Sequence, residues 1–346
     1  MKRFDSIRPY TDSEVQSVLQ QLSTNSDVVK AFISATKFGF LTKIPFSAWI
    51  ASKILQTKIK NIHTINDYQS IFENLVSNMI DTKTSGFTCN GFQNIKPNMS
   101  YLYMSNHRDI TVDPALLNYM LHQNNFKTTN IAVGNNLMSE AWASDLMRLN
   151  KSFIIDRTGK SKREIYQGLN LASEYIEDSI LEKNEPIWIA QKQGRAKDGL
   201  DKTDPALLKM IHLINRKSIP ISDYFNSLCF IPVAVSYEFD PNDLFKANEL
   251  HAIETHQEYI KTDKEDLNSI ANGISGQKGL VNLNIGSPIN FIDNSYEACA
   301  NLISRSILDL YQLQPSNFAA CQLQNIKYTL DCNFSKDQIN FAKDYL

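Results

Sequence analysis

The stretch from Tyr101 to Leu117 reads YLYMSNHRDITVDPALL. Its apolar start, Tyr101–Met104, has the length and aromatic content of a buried strand. A polar run follows: Ser105-Asn106-His107-Arg108-Asp109-Ile110-Thr111-Val112-Asp113. Then comes a helix signal, with Asp113 suited to cap and Pro114 to the first helical position. Strand, polar loop and helix in that order are one step of an α/β fold. In such folds chemistry collects in loops at the carboxyl ends of strands. A histidine in that loop with a carboxylate nearby can act as a general base, the acid fixing the tautomer and stabilising the imidazolium. Both Asp113 and Asp109 are candidates for that carboxylate. The plain alternative is a loop whose polar residues only satisfy caps.

Outward from this stretch the pattern repeats. Further strands are expected at Asn130–Val133, Phe153–Ile155, Ile187–Ala190, Phe230–Ser236 and Val281–Ile285. Helices are expected at Pro114–His122, Ser139–Leu149, Lys162–Asp178, Pro205–Asn215 and Ser295–Leu313. The alternation predicts an α/β fold, a sheet flanked by helices, over 86–313. Residues 1–85 read as a helical segment. Val28, Val29, Phe32 and Ile33, then Trp49, Ile50, Ile54 and Leu55, recur at helical spacing, with Pro45 expected to break the run in two. The charges between Lys30 and Lys60 are all positive, and Phe38, Phe40, Phe46 and Trp49 accompany them. Such a pair can lie in a lipid interface or pack on the body of the protein. Residues 314–346 form a polar tail with a modest helical pattern.

Composition bounds the rest. The chain has 346 residues, 42% hydrophobic and 21% charged, with a formal net charge of -2. These values exclude a disordered chain and give no general attraction to nucleic acid. Five cysteines, none in a CxxC spacing, speak against a disulfide framework or a zinc site and for a reducing, cytoplasmic setting. The start MKRFDSIRPYTDSEV has no apolar signal core. No run reaches the ~18 apolar residues of a spanning helix, so any membrane association is expected to be peripheral.

Two more strand-to-loop constellations carry polar residues. Lys151 to Arg163 runs from a short strand into a loop with Arg157, Lys160, Lys162 and Arg163, which can hold a phosphate or be a solvated turn. Trp188 to Gly199 ends a buried-type strand in Gln191-Lys192-Gln193-Gly194-Arg195, with Lys197 beyond. Two short strings mislead. His107-Arg108-Asp109 spells a kinase catalytic loop, but Pro114 stands where that loop needs Asn. Gly159-Lys160-Ser161 spells the end of a P-loop, but Ile154 stands where its first Gly belongs.

In their order and spacing the blocks together resemble the glycerol-phosphate and lysophosphatidic-acid acyltransferase family, over roughly 95–310. The resemblance is carried by Asn106-His107, by Phe153 to Arg157, by Gln193-Gly194-Arg195 and by Ile231-Pro232-Val233. Ile285-Gly286-Ser287-Pro288-Ile289 looks like the family's closing strand and turn. It implies a mixed sheet in an αβ sandwich and direct acyl transfer from acyl-CoA or acyl carrier protein to a lysophospholipid hydroxyl. It assigns catalysis to His107 and Asp113, with Asp109 as the alternative carboxylate. Head-group binding falls to Arg157, Gln193, Gly194 and Arg195. No metal or redox cofactor is implied, and the partners would be the thioester donor and the lipid surface, on the cytoplasmic face. Two departures stand out. The family usually sets one residue fewer between His and the carboxylate, and it usually has Glu where Gln193 stands. A lyso-amino-acid lipid acceptor and a non-catalytic lipid-binding relative are the rival readings.

Overall fold

The computed structural model describes residues 3–35, 47–135, 140–199, 201–255, 259–262 and 265–346, with side chains apart from those of 31–35 and 47. Phe38, Phe40, Phe46 and Pro45, which the sequence reading singled out, lie outside the described residues.

The strands are β1 (Gly86–Asn90), β2 (Leu102–Ser105), β3 (Asn130–Gly134), β4 (Ser152–Ile155), β5 (Ile187–Ala190), β6 (Phe230–Tyr237) and β7 (Leu280–Ile285). The helices before β1 are α1 (Asp12–Thr24), α2 (Ser26–Ala35), α3 (Ser47–Ile59) and α4 (Ile65–Lys83). Next come α5 (Val112–Gln123), α6 (Ala141–Leu149), α7 (Lys162–Glu177), α8 (Pro205–Ile211) and α9 (Ile221–Ser227). The remainder are α10 (Asp243–Glu254), α11 (Glu265–Ser275), α12 (Tyr296–Leu310), α13 (Pro315–Leu323) and α14 (Lys336–Tyr345). By contacts the chain forms two units: 1–75 with 130–175, and 76–129 with 176–346.

The second unit holds five strands in the order β1-β7-β6-β2-β5. β2 pairs in parallel with both β5 and β6, while β6 and β7 are antiparallel, so the sheet is mixed. Every residue of β2 is buried, as expected of a central parallel strand covered on both faces. Leu102, Tyr103, Met104, Phe230 and Ile231 are all buried, each contributing about 1.5–3 kcal/mol of transfer free energy. Pro232 sits inside β6, where a missing N–H would break a ladder. It lies where pairing with β7 begins, and its carbonyl accepts from Gly286 N at 2.8 Å. The C-terminal helices are tied to this unit by Phe318, Ala319, Ile339 and Ala342, which bury against Phe239.

The first unit holds the parallel pair β3 and β4. Its core joins Val15, Val18, Leu19 and Leu22 of α1 to Ile62, Tyr68 and Leu149. α1 is opened by a capping box between Thr11 and Glu14. On α3, Ala51 is buried with Val29, while Trp49, Ile50 and Ile54 are exposed. Among the described residues no helix is long and apolar enough to cross a membrane.

The six expected strands are present within a residue or so. β1 is a seventh, missed because its half-exposed residues GFTCN show neither a clean alternation nor a long apolar run. The expected cap at Asp113 is corrected. α5 begins earlier, at Val112, and Asp109 Oδ1 accepts the amides of Thr111 and Val112 at 2.9 Å each. Asp113 therefore lies inside the first turn, and Asp109 is the capping side chain.

Candidate active site

β2 ends at Ser105, and the next residues turn over the carboxyl edge of the sheet. Asn106 is buried and fixes the turn. Its amide donates to Val235 O and its Oδ1 accepts from Val235 N, each at 2.8 Å, so the side chain stands in for a peptide beside β6. The other side is anchored to β5 and its loop: Gln191 N donates to Ser105 O at 2.8 Å and Ala196 N to His107 O at 2.7 Å. Trp188 Nε1 donates to Ser105 Oγ at 3.0 Å, and its ring meets the His107 ring edge-on at 5.8 Å between centroids.

The backbone so held presents His107 to Asp113. Nδ1 of His107 lies 3.0 Å from Asp113 Oδ2, and Asp113 is fully buried. The same oxygen accepts from Arg108 N at 2.7 Å and Asp109 N at 2.9 Å. Oδ1 accepts from Tyr237 OH at 2.8 Å. An ionised carboxylate only accepts, and Arg108 N, Asp109 N and Tyr237 OH are all donors to it. With Nδ1–H held by the carboxylate, Nε2 is the nitrogen with a free lone pair. Burial, and then the charges of Asp113 and Asp109, push the Tyr237 phenol well above its ordinary range, so it stays a proton donor at neutral pH.

Asp109 does not share this role. Its Oδ1 caps α5, and Oδ2 faces Asn242 Nδ2 at 3.5 Å. A Cβ at Gly273 would stand 2.2 Å from Oδ2, so α11 closes over it. Burial, and then the charge of Asp113, raise its carboxyl above the ordinary range.

Around the loop lie further charges. Lys246 of α10 is buried, donates to Arg108 O at 2.7 Å and pairs with Asp240, which is also 3.7 Å from Arg108 Nη2. Asp201 is raised by burial, against the pull of Arg108 and Lys192.

Of the expected head-group residues, Arg195 is buried next to the Ala196–His107 bond. Its Nη2 donates to Ser269 Oγ at 3.2 Å, while Nη1 is buried with no hydrogen-bond partner among the described residues. Gln193 and Gly194 are exposed; Gly194 takes φ +76°, and space is open where a Cβ would be. Arg157 follows β4 in the first unit, half-buried, beyond an Asp156 that accepts from Asn135 Nδ2 at 2.6 Å.

The sequence reading missed Tyr237, Asp240, Lys246 and Ser269. Only Tyr237 had a signal, as the last residue of an apolar strand, where functional groups gather. Lys246 and Ser269 arrive from helices and Asp240 from the loop before α10, and none of these segments carries a motif.

Residues 86–200 match a protein-family model described as Acyltransferase. His107, Asp113 and Arg195 all fall inside the matched stretch. No curated protein matches the chain. Among solved structures it is similar to the crystal structure of the 1-acyl-sn-glycerophosphate (LPA) acyltransferase, PlsC, from Thermotoga maritima. Identity there is 12% and the TM-score 0.42, over 85% of this chain and 97% of that chain.

Proposed function

We propose that this acyltransferase is of the glycerolipid O-acyl type, moving a fatty acyl chain from a thioester, acyl-CoA or acyl carrier protein, to a lysophospholipid hydroxyl. The observation that carries the reading is the 3.0 Å contact between His107 Nδ1 and Asp113 Oδ2 at the end of β2, inside the family stretch. His107 Nε2 takes the acceptor's hydroxyl proton as its oxygen attacks the thioester carbonyl. Asp113 orients the ring and stabilises the imidazolium, as the acid of a serine-protease triad does without the serine. The tetrahedral intermediate collapses, the carbon–sulfur bond breaks, and the imidazolium returns the proton to the departing thiolate. No redox change occurs.

Arg195 Nη1, buried without a partner among the described residues, suits an anionic head group. A phosphate and a carboxylate both fit a guanidinium fork, so the acceptor is decided by experiment. Work at a lipid surface fits α3, which exposes Trp49, Ile50 and Ile54 beside Lys53 and Lys58. The test is transfer of a labelled long-chain acyl group, from CoA and from carrier protein, to lysophosphatidic acid and to a lyso-amino-acid lipid. Product on lysophosphatidic acid supports the reading. Product only on the amino-acid lipid replaces the acceptor. Lipid binding without turnover on any acceptor contradicts it.

A further inference from the structure

The peptide joining Arg108 to Asp109 is gripped at both ends. Its carbonyl, Arg108 O, accepts from Lys246 Nζ at 2.7 Å, and its amide, Asp109 N, donates to Asp113 Oδ2 at 2.9 Å. Lys246 is 4% exposed, so water does not compete for the contact. It is also ion-paired with Asp240. A cation on a peptide oxygen polarises the unit and strengthens its N–H as a donor, the more so away from water. A buried cation thus stands one peptide away from the carboxylate that orients the base.

We propose that Lys246 is a positioning residue for the His107–Asp113 pair, setting the charge that Asp113 presents to the imidazole through the Arg108–Asp109 peptide. The inference rests on reading His107 as the base. Removing the cation weakens the Asp109 amide as a donor and leaves more negative charge on Asp113 facing the ring. It also removes a nearby positive charge. Both changes favour imidazolium and reduce the share of neutral base. The other groups facing the pair are Arg108 and Asp109 of the loop, Tyr237 and Asp240 at and after β6, Asp201 after β5 with Lys192 beside it, and Tyr311 after α12. None of these is replaced when only residue 246 changes; Asp240 loses its ion pair with Lys246, and its negative charge then favours imidazolium in the same direction.

The test is histidine-labelled NMR titration of the full chain, wild type against Lys246→Met, Lys246→Gln and Lys246→Arg. His107→Ala identifies the signal among six histidines. In Lys246→Met the His107 pKa rises by about half a unit or more, and the Asp109 amide proton moves upfield. Lys246→Gln, which keeps a neutral donor and covers the case of a Met variant that does not fold, shifts the same way. Lys246→Arg, which keeps the charge, stays near wild type. A purely structural clamp would lower the melting temperature of the Met and Gln variants and leave the His107 pKa in place, and that result overturns the proposal, as does a downward shift. The readout does not depend on turnover: activity that survives in His107→Ala would strike the catalytic reading, while the titration still decides whether Lys246 reaches the ring.

Discussion

Asp109 lies in the loop after β2 and Asp113 in the first turn of α5, yet their carboxylates face opposite tasks. Asp113 takes the His107 ring at 3.0 Å, whereas Asp109 closes the amino end of α5 through Thr111 and Val112. Asp109 N donates to Asp113 Oδ2 at 2.9 Å, so the capping residue also helps hold the Asp113 carboxylate. The division predicts different outcomes for the same substitution. Asp113→Asn lowers kcat by about three to four powers of ten with the fold kept, since an amide holds the wrong tautomer and cannot balance the imidazolium. Asp109→Asn retains a capping oxygen and stays within about tenfold of wild type. Steady-state kinetics with circular dichroism on both variants checks this.

Tyr237 supplies the donor on the far side of Asp113. Tyr237→Phe leaves Oδ1 short of its 2.8 Å hydrogen bond without changing the apolar packing of the ring. Leaving a buried charged acceptor short costs about 1–3 kcal/mol. The expected result is a fall in kcat of about tenfold with little change in KM, read from initial rates over a range of acceptor concentrations.

The strands and their order along the chain were legible because buried strands here are short apolar runs bounded by polar loops. His107 and Asp113 were legible through the Asn-His stretch that follows β2. The cap was not: Asp113-Pro114 is a strong local signal, but the backbone turns earlier and Asp109 captures the amides first. The basic cluster around Arg108 was also hidden. Lys246 and Asp240 lie far along the chain, in α10 and just before it, and nothing in their own neighbourhood marks them as partners of the loop.

Arg195 carries the expectation of an anionic acceptor. Arg195→Ala raises the acceptor KM by about tenfold or more, with a smaller effect on kcat. Lys at 195 rescues poorly, since a point charge cannot reproduce a planar fork already placed against Ser269. Kinetics with a charged and an uncharged acceptor separates loss of head-group contact from general damage.

Lys278 is buried with its Nζ donating to Gly276 O at 2.8 Å. Burial pulls its ammonium down to about 8. The folded protein therefore holds fewer protons than the unfolded chain between about 8 and the ordinary lysine value near 10.4, and stability gains from this group as pH rises through that window. At pH 7 the buried charge is a net cost. Lys278→Met is expected to raise stability there by about 2 kcal/mol, the relieved charge less one lost hydrogen bond. The advantage shrinks as the pH approaches 10.4. Urea melts of both proteins at several pH values follow it.

The most direct test of the account is acyl transfer from a labelled long-chain acyl-CoA to lysophosphatidic acid by wild type and by His107→Ala. The account predicts product with wild type and a loss of about three or more powers of ten in the variant, the scale of removing a general base that activates a nucleophile. Transfer that survives in folded His107→Ala would contradict it.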